Sequence, residues 1–316
     1  MLKDILFLVI GLLLLTGGAD VLVSGATLLA KRVGVSALVI GLTIVALGTS
    51  APEMAVSLSA SLTGRTDIAI GNVVGSNISN IGLALGLSAI VRPLAVQIRL
   101  VRFEVPLLFG ISLLTYLLAL TGVFPRWVGF LFLAGFFAYI ILLYRWSLKE
   151  KPEIEAEFSD MERRKGGILQ NAGKVVFGLA CLGGGGTLLV DGAVGIARWA
   201  GLSELVIGLT VVAVGTSLPE IVTSIIAVLR KHVDIAIGNV LGSNIFNILG
   251  VLGATAAAHP LDVQRELLVR DFPVMLLLTA LLFPFLKIGL VLKRWEGFVL
   301  FLLYIVYLAI LFIGHV

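Results

Sequence analysis

The chain has 316 residues, of which 59% are hydrophobic and 13% charged, with a net charge of +4 and a mean hydropathy of +1.11. A soluble domain carries about 25% charged residues, so this chain belongs in lipid, with room for about ten spans of ~20 residues and none for a separate soluble domain. The basic residues sit at span ends, which excludes a nucleic-acid footprint, and the single cysteine, Cys181, excludes an intramolecular disulfide.

Apolar runs and their polar punctuation predict helices near 4–30, 36–62, 67–91, 103–122 and 126–146, then near 170–198, 203–229, 234–258, 271–286 and 294–314. The first could pass for a cleaved leader. Residues 11–43 align with 178–210, however, and a segment repeated inside the chain reads as structure. Residues 41–86 recur at 208–253 without a gap, with about 28 of 46 positions identical. The match extends further, pairing LVRFEVP at 100–106 with LVRDFPV at 268–274 and RWVGF at 126–130 with RWEGF at 294–298.

The expected fold is an all-α integral membrane protein of ten transmembrane helices. Residues 1–146 form one five-helix repeat, 147–169 a charged linker, and 170–316 a second repeat. Five is odd, so the second repeat enters the membrane inverted relative to the first. With the N-terminus outside, 17 Lys and Arg fall on the cytoplasmic side and 6 on the other. The positive-inside rule thus predicts both termini outside and a cytoplasmic linker.

Each copy of the long repeat carries one glutamate in an apolar span. The motifs are Gly48-Thr49-Ser50-Ala51-Pro52-Glu53 and Gly215-Thr216-Ser217-Leu218-Pro219-Glu220. Proline lacks an N–H and clashes with the preceding turn, so helices 2 and 7 are expected to break beside the acid and to free the carbonyls of Ala46 and Ala213. Helices 3 and 8 carry Gly71-Asn72-Val73-Val74-Gly75-Ser76-Asn77 and Gly238-Asn239-Val240-Leu241-Gly242-Ser243-Asn244 and are expected to be broken as well.

Ser76 lies nine residues after Asp67, about 13 Å along a helix and close to the middle of a ~30 Å hydrocarbon core. Ser76 and Asn80 share a helix face, as do Ser243 and Asn247, while Asn77 faces partly elsewhere. No Lys, Arg or His lies near the midplane of any span to pair with Glu53 or Glu220. Intramembrane acids without such partners mark an ion path, and hydroxyls, amides and carbonyls beside them suit a hard cation. Asp67 and Asp234 read as helix N-caps, Asp20 and Asp191 as packing or rim residues, and the Gly183–Gly186 run as a close helix contact.

These segments resemble the alpha-repeats of the cation/calcium exchanger superfamily, most closely its prokaryotic sodium/calcium antiporters, and the resemblance covers essentially the whole chain. It implies a secondary antiporter, not an enzyme, in the plasma (inner) membrane of a prokaryote. Sodium would be exchanged for calcium by alternating access, three ions for one, with no cofactor and no partners beyond the two ions and the bilayer. The implied ligands are Ala46 (carbonyl), Thr49, Ser50, Glu53, Ser76 and Asn80, with Ala213 (carbonyl), Thr216, Ser217, Glu220, Ser243 and Asn247 from the second half. Some members carry a carboxylate where this chain has Asn80 or Asn247, so the sodium count and proton coupling stay open, as does the oligomeric state. A proton/calcium exchanger would typically have glutamate at Gly75 and Gly242. Potassium coupling is a further variant, and a calcium-permeable channel suits broken inverted repeats less well.

Overall fold

The computed structural model of the protein describes residues 1–147, 167–199 and 215–313. In chain order the helices are α1 Leu2–Val33, α2 Ala37–Thr49, α3 Ala51–Leu62, α4 Thr66–Val91, α5 Leu100–Ala119 and α6 Arg126–Ser147. The second half supplies α7 Ile168–Trp199, α8 Leu218–Leu229, α9 Val233–Ala258, α10 Leu267–Lys287 and α11 Arg294–Ile313. Among the described residues, eight helices are long and apolar enough to cross a membrane, or nine with the bent pair α2–α3 counted as one span. The upstream part of the expected seventh span, 203–214, lies outside the described residues, as does most of the 147–169 linker.

Local chemistry sets the helix ends. Gly34 takes the left-handed conformation (φ 73°) that closes α1, and the Ser36 hydroxyl then accepts the Val39 amide at 3.4 Å to open α2. Ser50 leaves the helical region (φ −85°, ψ 10°), and with Pro52 at the start of α3 the two helices meet at 45°. The break expected in helix 2 is therefore present.

Helices 3 and 8 differ from expectation. Both α4 and α9 run through without interruption, and each widens into a π turn, at Asn80–Leu85 and Asn247–Leu252. Neither helix contains proline, so every amide can still donate. A π turn lengthens the ring while keeping those donors paired in lipid. Asp67 and Asp234 do not cap either: the cap positions are Arg65 and His232, and the acids sit in the first turn, where the helix dipole favours them. Two further π turns, Leu100–Glu104 and Leu267–Asp271, are each followed by a helix with proline at its second position. The halves thus correspond there one residue earlier than the letter match suggested, with Glu104 opposite Asp271.

The helices α4 and α9 form the centre, with 78% and 94% of their most apolar windows buried, against 28–39% for α1, α5, α6, α7, α10 and α11. Around them, α1 and α7 run antiparallel on a glycine stripe at seven-residue spacing. A Cβ at Gly11 would lie 2.8 Å from the Gly185 carbonyl, and one at Gly18 3.0 Å from that of Gly178. Within the Gly183–Gly186 run, Gly185 makes this contact, whereas Gly183 and Gly184 have nothing within 4 Å.

Two short strand pairs tie the halves together. The strand β1 (Leu94–Ala95) pairs antiparallel with β4 (Val291–Leu292), and β2 (Val123–Phe124) with β3 (Leu261–Asp262). The loop between α4 and α5 therefore lies beside the loop between α10 and α11. Its own repeat counterpart, before α10, lies beside the loop between α5 and α6, at the other end of α5.

Candidate cation site

The broken span α2–α3, the start of α8 and the middles of α4 and α9 converge at the core. Glu53 and Glu220 are both 0% exposed, as are Ser50, Asn80, Ser217, Ser243 and Asn247, with Thr49 and Ser76 nearly so. Two other buried acids have basic partners, Glu104 with Arg99 at 3.1 Å and Asp271 with Arg270 at 3.0 Å, and Glu296 accepts the backbone amide of Lys293 at 2.7 Å. Glu53 and Glu220 have none among the described residues; their donors are hydroxyls.

Those hydroxyls cross between the halves. Ser50 donates to Glu220 Oε1 at 2.7 Å. In return Ser217 lies 3.5 Å from Glu53 Oε1 and 3.3 Å from the Ser76 hydroxyl, which itself reaches Glu53 Oε1 at 3.5 Å. Each carboxylate keeps its second oxygen, Oε2, buried and without a hydrogen-bond partner. The same holds for Asn80 Oδ1 and for both polar atoms of Asn247. Buried polar atoms are almost always paired, so the orphaned oxygens gathered here are acceptors open to a cation or to water.

No group of three or more His, Cys, Asp or Glu able to hold a metal occurs among the described residues. The set is instead two carboxylates surrounded by neutral oxygens. That chemistry matches a hard cation, and its modest charge suits a cation that must also leave.

The proline break acts differently from expectation at Ala46. Its carbonyl is not freed: it accepts the Ser50 amide at 3.0 Å and stands 3.4 Å from the Ser243 hydroxyl. The missing N–H of Pro52 falls four residues after Gly48, so helix arithmetic withdraws a donor there and not at Ala46. Ala213 lies outside the described residues. Asn77 and Asn244 are structural neighbours of the site. Asn80 Nδ2 donates to Asn244 Oδ1 at 3.0 Å, and Asn244 Nδ2 to the Asn77 carbonyl at 3.3 Å.

Two residues absent from the expected ligand set prove central. Asn72 donates through Nδ2 to the Glu53 carbonyl at 3.2 Å and to the Ser57 hydroxyl at 2.9 Å. Asn239 repeats this with the Glu220 carbonyl at 3.3 Å and Ser224 at 3.0 Å. Thr216 donates to Asn72 Oδ1 at 3.4 Å, and Thr49 to Asn239 Oδ1 at 3.1 Å. The signal was present in the sequence, since Asn72, Ser76 and Asn80 fall at four-residue steps on one helix face.

Comparison with known proteins bears on the chain as a whole. The family described as sodium/calcium exchanger protein matches residues 3–145 and 171–313, one match per half. The chain is 41% identical to CaxA of Alkalimonas amylolytica over 99% of each chain. It is 34% identical to the sodium/calcium exchanger MaX1 of Methanosarcina acetivorans over 98% of each. A solved structure of the sodium-calcium exchanger NCX_Mj superposes with a TM-score of 0.83 at 33% identity, covering 98% of both chains. With a duplicated family match across nearly its whole length, the chain belongs to the sodium/calcium exchanger protein family.

Proposed function

We propose that this protein is an electrogenic secondary antiporter that exchanges three sodium ions for one calcium ion by alternating access. The observation that carries the reading is the pair of buried glutamates, joined across the halves by serine hydroxyls, each with one carboxylate oxygen unpartnered. Two carboxylates neutralise one calcium ion, and the neutral oxygens around them can be shared among several sodium ions. The ligands are Glu53, Thr49, Ser50, Ser76, Asn80 and the Ala46 carbonyl, with Glu220, Thr216, Ser217, Ser243, Asn247 and the Ala213 carbonyl. The ions are cargo, and the reading needs no catalytic group and no resident cofactor.

The architecture in this reading is ten spans in two inverted repeats, 1–146 and 170–316, joined by a cytoplasmic linker at 147–169. Support for inversion comes from the strand pairs, in which β1 meets β4 and its repeat equivalent β3 meets β2. Each loop is thereby paired with the counterpart of the loop at the opposite end of α5, as an inverted repeat requires. The similarity to prokaryotic membrane proteins supports a prokaryotic inner membrane, and the basic residues of the loops support both termini outside.

Calcium-45 uptake into proteoliposomes, driven in turn by sodium, potassium and proton gradients, tests the assignment. Uptake against a calcium gradient is expected with outward sodium only. Uptake driven by protons or potassium alone would replace sodium as the coupling ion, and a flux too large for stepwise turnover would mean a channel.

A further inference from the structure

The geometry points to Asn72 and Asn239 as positioning residues that set the ligating posture of the threonine in the opposite repeat, an inference that rests on the cation-site reading above. Hydrogen-bond polarity carries it. The backbone carbonyls of Glu53 and Glu220 can only accept, so the amide nitrogens of Asn72 and Asn239 must face them, at 3.2 and 3.3 Å. That fixes which way each carboxamide is turned. Each Oδ1 then faces the other repeat and can only accept, so Thr216 and Thr49 must give it their protons.

A hydroxyl has one proton. Once it is committed to the asparagine, the oxygen offers only lone pairs to its other neighbours, which is what a cation needs. For Thr49 this also decides between two acceptors, since the Ala46 carbonyl stands farther away at 3.3 Å. Without Asn239 the hydroxyl would turn back onto its own helix, as buried threonines commonly do.

The bonds are crossed, and this gives them a second consequence. Asn72 is anchored to the glutamate helix of the first half and holds a ligand of the second, and Asn239 does the converse. A carboxamide meets both demands, because it donates to its own half while accepting from the other. An aspartate would keep the acceptor and lose both donated bonds, and an apolar residue would lose all three.

A double-mutant cycle tests the crossing. The variants are Asn72→Ala, Asn239→Ala, Thr49→Val and Thr216→Val, each read as half-saturating calcium and as maximal rate of sodium-driven exchange. Each threonine-to-valine change should raise half-saturating calcium about tenfold, the worth of one buried hydrogen bond, and each asparagine-to-alanine change, which breaks three bonds, at least as much, with smaller effects on maximal rate. Asn72→Ala with Thr216→Val should cost no more than Asn72→Ala alone, because the alanine has already broken the bond the two residues share. Asn72→Ala with Thr49→Val should cost the product of the two single losses, about a hundredfold or more. Thr216→Ser, which keeps the hydroxyl, should return to within about twofold of wild type.

The same cycle read as thermal stabilisation of purified protein by calcium or sodium alone does not require exchange. It therefore decides the role of the asparagines even if sodium coupling fails. Melting temperatures without added cation separate loss of fold from loss of ligand posture. Additive losses in both crossed pairs, in proteins that still fold, would overturn the proposal while leaving the exchange reading in place.

Discussion

The Ser50 hydroxyl donates to Glu220 Oε1 at 2.7 Å, while its repeat counterpart Ser217 stands 3.5 Å from Glu53 Oε1. The first is the length of a strong bond to a charged acceptor, and the second is at the outer limit of a hydrogen bond. The two halves are therefore equivalent in sequence and unequal in geometry. Ser50→Ala should weaken calcium affinity about tenfold, and Ser217→Ala only about two- to threefold. Calcium dependence of exchange in proteoliposomes measures this, and equal losses would contradict it.

The acids themselves carry the largest effect. With Glu53→Gln or Glu220→Gln, a divalent ion would sit beside one carboxylate in a water-excluded core, where uncompensated charge is costly. Each variant should reduce calcium transport by more than about a hundredfold, since breaking a buried charge pairing costs about 3–5 kcal/mol. Neither substitution should prevent folding, because glutamine can still accept the serine hydroxyl. Wild-type exchange rates in both variants would remove the glutamates from the site.

Asn80 and Asn247 occupy matching positions but make different contacts. Asn80 donates to Asn244, whereas both polar atoms of Asn247 are buried and unpartnered. Asn80→Ala should cost about 1–3 kcal/mol of stability, because it strands the Asn244 oxygen. Asn247→Leu should leave stability unchanged or raised, since it removes an unpaired amide, while calcium transport falls. Thermal unfolding in detergent, run beside transport, distinguishes the two. A stability loss at Asn247 as large as at Asn80 would make it helix glue.

Much of the site was legible because duplication marked it. Glu53 and Glu220 sat in repeated motifs, and the proline beside each announced the bend at Ser50. The π turns at Asn80–Leu85 and Asn247–Leu252 were not legible, because they change hydrogen-bond register without any residue that forbids a helix. The strand pairs are two residues long, too short for an alternating pattern to appear. The role of Asn72 and Asn239 was missed for another reason. Their threonine partners come from the other half of the chain, 144 residues away for Thr216 and 190 for Thr49, and one repeat read alone does not show them.

The glycine stripe between α1 and α7 makes a stability prediction independent of transport. A Cβ at Gly185 would lie 2.9 Å from the Gly11 carbonyl and from the Leu15 amide, so backbone must move to admit it. Gly185→Ala should cost about 1–3 kcal/mol. Gly184→Ala, one residue away with nothing within 4 Å, should instead stabilise the helix by up to about 1 kcal/mol. Thermal unfolding in one detergent compares them, and equal responses would mean that α1 and α7 do not pack as closely as the structure has them.

Charge counting within the site leads to the final expectation. Exchange of one calcium ion for two sodium ions is neutral, whereas exchange for three moves one net charge per cycle. Two carboxylates, with hydroxyls from Thr49, Ser50, Ser76, Thr216, Ser217 and Ser243 and the amides of Asn80 and Asn247, supply enough oxygens for several monovalent sites. One charge crossing 100 mV is worth about 2.3 kcal/mol, nearly fiftyfold in the calcium ratio. A tenfold sodium gradient contributes about 1.4 kcal/mol per ion, so the third ion and the voltage matter comparably. Sodium-driven calcium extrusion should therefore speed up at inside-negative potential. In proteoliposomes clamped with potassium and valinomycin, the equilibrium calcium ratio should shift by close to fiftyfold between zero and about −100 mV. A ratio that does not move with voltage would make the exchange neutral at two sodium ions, and would assign part of this oxygen set to holding water or structure instead of a third ion.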